Sequence, residues 1–457
     1  MMNTNLCAFG IMACMPFLIS CRKEFLDAKP SQSLVVPRTL DDYQAILDHD
    51  MYVNGSGTSM RGPVPALGEI SADNYYVLDE DFNNRLTPQL SNYYVWSEHP
   101  YTGDDENSWN YPYLVVFYSN VVLDGLKTLD RSSEPEKYDL LTGEALFTRA
   151  HAFYQLAQVF APFYIKDKAA TEPGIPLRLS ADINENNYWA TCSETYNQIL
   201  KDLLEAIPLL ADRPLIKTRP SKAAAYGMVS RVYQTMQVYD LASIYADSCL
   251  QIQHDILDYN QLNANLTYPF AGGEQENPEV IYSCNMVHNS KNPINPLFAK
   301  TDSTLYSTYA DQDLRKKVFF RESNGQRFKG SYAANTVNFA GIAVDEILLI
   351  QAECLARQGQ INGAMDALNE LMSKRWDNHS AFIPILSVNA DEALSLILRE
   401  RRKELLFRGL RWTDLRRLNA EGMNIHLYRK VNNKVYDLPP NDPRYTLPIP
   451  DIVRSFQ

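Results

Sequence analysis

The chain has 457 residues, 45% of them hydrophobic, and a formal net charge of −12. That is enough apolar material for one large core or two ordinary ones, and it excludes a disordered chain. The negative charge, with no long Lys/Arg run to offset it, argues against nucleic acid as a partner.

Residues 6–19 are apolar apart from small residues and one proline. About 14 helical residues reach only ~21 Å, short of the ~30 Å core of a bilayer, so the stretch reads as the apolar part of a signal peptide and not as a span. Ser20 precedes Cys21, and Arg22, Lys23 and Glu24 follow at once. This is similar to a lipobox, in which the chain is cut before Cys21 and its thiol acylated. Residues 1–6 lack the basic residues usual in such a leader. No later segment offers about 18 consecutive apolar residues, so membrane attachment falls to lipid on Cys21. A leader over 1–20 and a mature chain over 21–457 are expected.

Residues 49–110 are rich in Gly, Pro, Asn, Asp and Tyr and predict a long loop with short strands. Helical periodicity follows, with Leu146, Ala150, Phe153, Ala157 and Phe160 lining one face up to Pro162. Tyr196, Ile199, Leu203 and Ile207 mark another helix that stops at Pro208, with Thr191 or Ser193 and Glu194 offering capping chemistry. Helices over about 221–238 and 240–251 predict an antiparallel pair. A second irregular segment spans about 254–340. Beyond it, Ala343, Ile347, Ile350 and Cys354 mark one helix, and Ile361, Met365, Leu368 and Met372 the next across Gly359. Ala242, Ala246, Ala364 and Ala367 are small residues that let neighbouring helices approach. The repeated helix-turn-helix unit predicts a mainly α, tetratricopeptide-like helical-repeat scaffold with long loops and a few short strands. Loops so long are expected to carry function. Five prolines between 439 and 450 predict an extended strap. Cys249 and Cys354 fall on apolar helix faces and read as buried free thiols, with disulfides among Cys192, Cys249, Cys284 and Cys354 left open.

Several stretches carry a family resemblance. Phe25-Leu26-Asp27 with Pro30 opens the mature chain. Trp109, Tyr113, Asn120 and Val121 share one helix, and Glu144, Arg149 and Ala150 the next. Gly174-Ile175-Pro176-Leu177 forms a turn before Tyr196, Ile199, Asp202, Leu203 and Ala206. The most specific run is ILRERRKELLFRGLRWTDLRR over 397–417, with Pro448-Ile449-Pro450 at the end. Over nearly its whole length the chain resembles the SusD/RagB nutrient-binding lipoproteins of the Bacteroidetes outer membrane. Arg408 departs from the Glu usual there and puts a local ion pair in question. The resemblance implies a SusD-like fold, lipid-anchored at the cell surface through a diacylglyceryl group on Cys21. It also implies an oligosaccharide ligand and a SusC-like TonB-dependent transporter as partner, with no other cofactor.

The arginines at 399, 401, 402, 408, 411, 416 and 417 read as partly buried pairs with carboxylates that lock helices, in preference to an anion site. No HExxH, nucleophile elbow or Walker loop occurs, and neither catalytic nor metal-ligating residues are assigned. Asp79-Glu80-Asp81 and Asp104-Asp105-Glu106 read as solvated acids, not as a glycosidase pair or calcium site. A neutral sugar needs an aromatic face beside hydrogen-bonding side chains. With 28 Tyr against 18 Phe, the candidates are Trp96, Tyr93, Tyr94, Tyr75 and Tyr76 with Asp73 and Asn74. Tyr268, Phe270 and Tyr332 are secondary, and Trp109 and Trp412 are assigned to packing. A peptide-binding member of the fold, a scaffold without a small ligand, and a glycoside hydrolase are the alternatives.

Overall fold

The computed structural model describes residues 36–57, 61–102, 107–185, 188–287 and 290–454. The leader, Cys21, the Phe25-to-Pro30 opening and the acids at 104–106 lie outside them. The chain divides into Met1–Arg38 and Thr39–Gln457, and of the first only residues 36–38 are described.

The second unit is built from helices that each pack on the next. Asn107–Leu126 lies against Pro135–Phe160, which lies against Cys192–Ala206, then Lys222–Thr235, then Tyr239–Ile252. Tyr239–Ile252 packs directly on Val344–Arg357, which carries Ile361–Ser373 and Ala390–Glu404. Residues 254–340 therefore leave the helical array and return to it between two packed neighbours. This is the expected mainly α scaffold of stacked helix pairs.

Local sequence sets the boundaries. Thr191 caps the Cys192 helix in a reciprocal box with Glu194, and Thr39 does the same with Asp42 for Leu40–Leu47. Gly359, at φ +74°, turns the chain between Val344–Arg357 and Ile361–Ser373, a conformation costly for any residue with a β-carbon. Ala242, Ala246 and Ala364 are fully buried at helix contacts. Cys192, Cys249, Cys284 and Cys354 are buried free thiols. No described helix is long and apolar enough to cross a membrane.

The irregular segments differ from the expectation of loops with strands. The described residues of 49–110 hold short helices at Asp50–Val53, Leu67–Ser71, Asp79–Arg85 and Pro88–Tyr94, and a two-residue strand. Residues 254–340 hold several short strands. Among the described residues every sheet is a two-stranded antiparallel pair. Proline-rich 438–450 runs as the expected strap, pinned where Leu447 N donates to Val159 O at 2.9 Å.

The signature positions that carry the resemblance meet in three dimensions. Arg149 makes a bidentate pair with Asp202 (2.7 and 2.8 Å) and donates to Asn120 Oδ1 at 3.0 Å, so three helices are tied at one buried guanidinium. Tyr113 donates to Pro176 O, and Asn120 to Arg178 O, which fixes the Gly174–Leu177 turn to the same helix. The arginine-rich segment is structural as read. Arg401 pairs with Asp414, Arg408 with Asp345, and Arg417 with Glu353, while Glu400 and Glu404 receive Arg315, and Glu404 also Arg375. Arg408 thus has a carboxylate despite its departure from the family pattern. Trp109 stacks among Tyr113, Phe160 and Trp189, and Trp412 on Tyr445.

Candidate functional site

The two irregular segments are stitched together. Tyr75 pairs with Thr301 and Tyr76 with Lys300, and Asp302 N donates to Asn74 O at 2.9 Å. A second seam joins Val64 to Met286 and Asn285 N to Asn54 O.

Side-chain alternation along the 75–76 strand decides what each tyrosine does. Tyr75 points inward and donates to Ile70 O at 2.8 Å. Tyr76 points outward, 36% exposed. Beside it the Phe320–Glu322 and Gln326–Phe328 hairpin turns through Asn324 and Gly325, both at positive φ. Gly325 has φ +101°, which favours glycine, and a β-carbon there would stand 3.0 Å from the Tyr76 hydroxyl and 3.4 Å from the Lys300 stem, so the hairpin tip closes tightly on them. Lys300 donates to Ser323 O at 2.6 Å, fastening strand to hairpin. Helix Asp79–Arg85 follows Tyr76. Its three acids occupy the first turn, where the helix dipole favours them; Asp79 accepts from Asn432 N and Asp81 pairs with Arg85 at 2.5 Å. Asp79 and Asp81 thus have structural partners.

The remaining aromatic candidates lie elsewhere than on an open platform. Tyr75, Tyr93, Tyr94 and Trp96 are all buried, Trp96 to 4% exposure. The reason is Arg429, brought in on the inner face of strand Leu427–Val431. Its guanidinium sits 3.9 Å from the Tyr94 ring, 4.7 Å from Trp96 and 5.2 Å from Tyr75, and donates to the carbonyls of Ile70, Ala72 and Tyr94. The rings wrap a cation. Trp96 is further held by a bond from Nε1 to Ser71 O at 2.9 Å and has φ +56°, a strained setting for a bulky residue that its neighbours must enforce. Sequence reasoning missed Arg429, although Leu427, Arg429 and Val431 alternate ahead of the Asn432-Asn433 hairpin turn and so place the arginine inward.

Asp73 and Asn74 also turn away from solvent tasks. Asp73 takes Arg411 at 2.7 Å and Arg402 at 3.1 Å. Burial works to raise its pKa, but the two guanidiniums outweigh this and hold the carboxyl far below the usual range. Asn74 donates to Glu69 at 2.8 Å. Glu69 is pushed up to about 7, chiefly by burial. Phe270 and Tyr332 are core residues too, Tyr332 bonded to Glu279 and Asp345.

Two clefts adjoin the strap and share Asp442, Pro443 and Thr446 as a wall. One, of about 390 Å³, exposes edges of Tyr93 and Trp96 beside Glu98 and Arg444. The other, of about 580 Å³, is lined by Phe163, Lys168, Glu172 and Arg416. Arg416 gives its terminal nitrogens to Gln158 O and Ala161 O at the end of the Pro135–Phe160 helix, a helix-capping role. Among the described residues no group of His, Cys, Asp and Glu is arranged to hold a metal.

A stacked-helix scaffold carrying two irregular segments joined at an exposed tyrosine defines the class: a SusD-like helical-repeat protein. Residues 24–234 match the SusD-like family described as starch-binding and associating with the outer membrane, and residues 314–452 match the SusD family. The chain belongs to the SusD/RagB family. It is 23% identical over 429 residues to SusD-like protein P38 of Formosa agariphila, covering 77% of this chain and 79% of that one. Its fold is similar to that of a SusD superfamily protein from Bacteroides fragilis (TM-score 0.75, 21% identity, 93% and 99% of the two chains). It is also similar to that of a laminarin-binding SusD-like protein (TM-score 0.60, 18% identity, 82% and 90%).

Proposed function

We propose that this protein is a lipid-anchored receptor of the outer membrane that binds oligosaccharide at the Tyr76 face and passes it to a SusC-like TonB-dependent transporter. It performs no covalent chemistry. The observation that carries the reading is Tyr76 itself, a partly exposed ring at the seam of the two long segments, able to stack on a sugar face. Family membership supports a glycan ligand, as does the laminarin-binding protein of similar fold. The buried aromatics Tyr75, Tyr93, Tyr94 and Trp96, with Asp73 and Asn74, act as the frame that holds Tyr76 in place. The anchor rests on Cys21 in its lipobox-like setting.

Calorimetry against a panel of oligosaccharides and a peptide pool tests the reading. At least one oligosaccharide binds, and Tyr76→Ala weakens it about tenfold or more, the loss of one stacked ring. Binding of peptides alone, or glycan affinity untouched by Tyr76→Ala, overturns the ligand class or the site respectively. For the anchor, Cys21→Ser moves the protein out of the membrane fraction; an unchanged distribution contradicts it.

A further inference from the structure

The charges beside Tyr76 include a half-buried arginine, Arg327, that lacks the partners the fully buried arginines have. Elsewhere buried arginines meet a carboxylate, as Arg149, Arg231, Arg315, Arg375 and Arg417 do, or a set of backbone carbonyls, as Arg416 and Arg429 do. Arg327 meets neither among the described residues, and its Nε is sealed from solvent without a hydrogen-bond partner. Directly opposite it across the hairpin stands Arg321, exposed and also without a carboxylate among the described residues. Like charges in register across two strands destabilise a hairpin. Lys300, packed between the Tyr76 strand and the hairpin, adds a third cation whose ammonium donates to the Ser323 carbonyl. Of the nearby acids, Asp81 pairs with Arg85, while Glu322 accepts from the neutral amide of Gln326 and keeps its charge. A chain of net charge −12 thus gathers Arg321, Arg327 and Lys300 at one edge of its exposed tyrosine, offset only in part by Asp81 and Glu322. Burial, reinforced by the neighbouring arginine, lowers the pKa values of Lys300 and Arg327, and the nearby carboxylates, Asp81 for both and Glu322 for Lys300, do not reverse it.

We infer that this cluster is a subsite for an anionic sugar substituent, the carboxylate of a uronic acid or a sulfate ester, placed so that Arg321 and Arg327 bind the anion while the ring stacks on Tyr76. The inference deepens the proposed glycan reading and rests on it. Guanidinium forks match planar or tetrahedral oxyanions, and the bound anion would cancel the cross-strand repulsion.

The test is calorimetry of the purified protein with two matched pairs: oligogalacturonate against its methyl ester, and a sulfated galactan oligosaccharide against its desulfated form. One acidic member binds about tenfold or more tighter than its neutral twin, and weakens as salt rises from about 50 to about 300 mM. Which pair discriminates identifies carboxylate or sulfate. The Arg321→Gln/Arg327→Gln double variant abolishes the discrimination. Should that variant fold poorly, Arg321→Gln alone, at an exposed position, must reduce it about threefold or more with Tm unchanged. Neutral and acidic twins binding alike, or neutral glycans binding alone, overturn the subsite and leave glycan binding standing; no binding by any glycan removes both.

Discussion

Tyr75 and Tyr76 are neighbours of identical chemistry, and the pleat of a two-residue strand sends one to the core and the other to solvent. Their substitutions should separate accordingly. Tyr76→Ala changes stability by no more than about 0.5 kcal/mol, as surface changes do, while lowering glycan affinity. Trp96→Ala costs about 3–5 kcal/mol, because it empties a buried site, strips one ring from Arg429 and leaves the Ser71 carbonyl without its donor. Chemical denaturation of both variants measures the contrast. Equal losses would mean that Tyr76 is frame and not platform. The composition of 73–76 and 93–96 offered five aromatics, of which Tyr76 alone proves exposed. It could not rank the aromatics, because the cation they wrap comes from position 429, more than three hundred residues on in the chain.

At the scale of elements, long helices were legible and short ones were not. The 135–160 helix announces itself by apolar spacing and a closing proline, and the 192–206 helix by spacing, a cap and a proline. The helices at 67–71, 79–85 and 88–94 are too short to show a period, and they read as loop. The arginine-rich run was legible as structure because carboxylates recur at helical spacing within it. Its distant partners, such as Arg315 for Glu400 and Asp73 for Arg411, were not. Two helix ties give sharp expectations. Asp202→Ala leaves Arg149 charged and unpaired between three helices and should cost about 3–5 kcal/mol, whereas Arg399→Ala, exposed beside Glu400, should stay within about 0.5 kcal/mol. Denaturant midpoints at constant m-value read both. A mild effect of Asp202→Ala would mean that the junction of Asn120, Arg149 and Asp202 is not under the load assigned to it.

The whole molecule carries opposing pH dependences. Glu144, buried and bonded to Gln44 at 2.8 Å, has its pKa pushed up to about 7, mainly by burial. A carboxyl so raised costs nothing while protonated in both states; it loses stability as pH climbs from its unfolded value of about 4.5 through about 7. Glu353 runs the other way. Burial would raise it, but Arg417 and Arg357 bring it down to about 2, so its stabilisation is present above the unfolded value and lost as pH falls towards about 2. Glu144→Gln should therefore gain stability relative to the native chain between about pH 4.5 and 8, on the order of 3 kcal/mol at most. A pH-independent difference in Tm would contradict the burial of that charge. The central claim concerns the face where two separate segments of the chain are sewn together. Hydrogen–deuterium exchange of the purified protein, with and without a bound oligosaccharide, tests it most directly. The account predicts slowed exchange in peptides covering 74–86, 298–303 and 320–329. Protection confined to the strap clefts at 441–448, with those three segments unchanged, would contradict it.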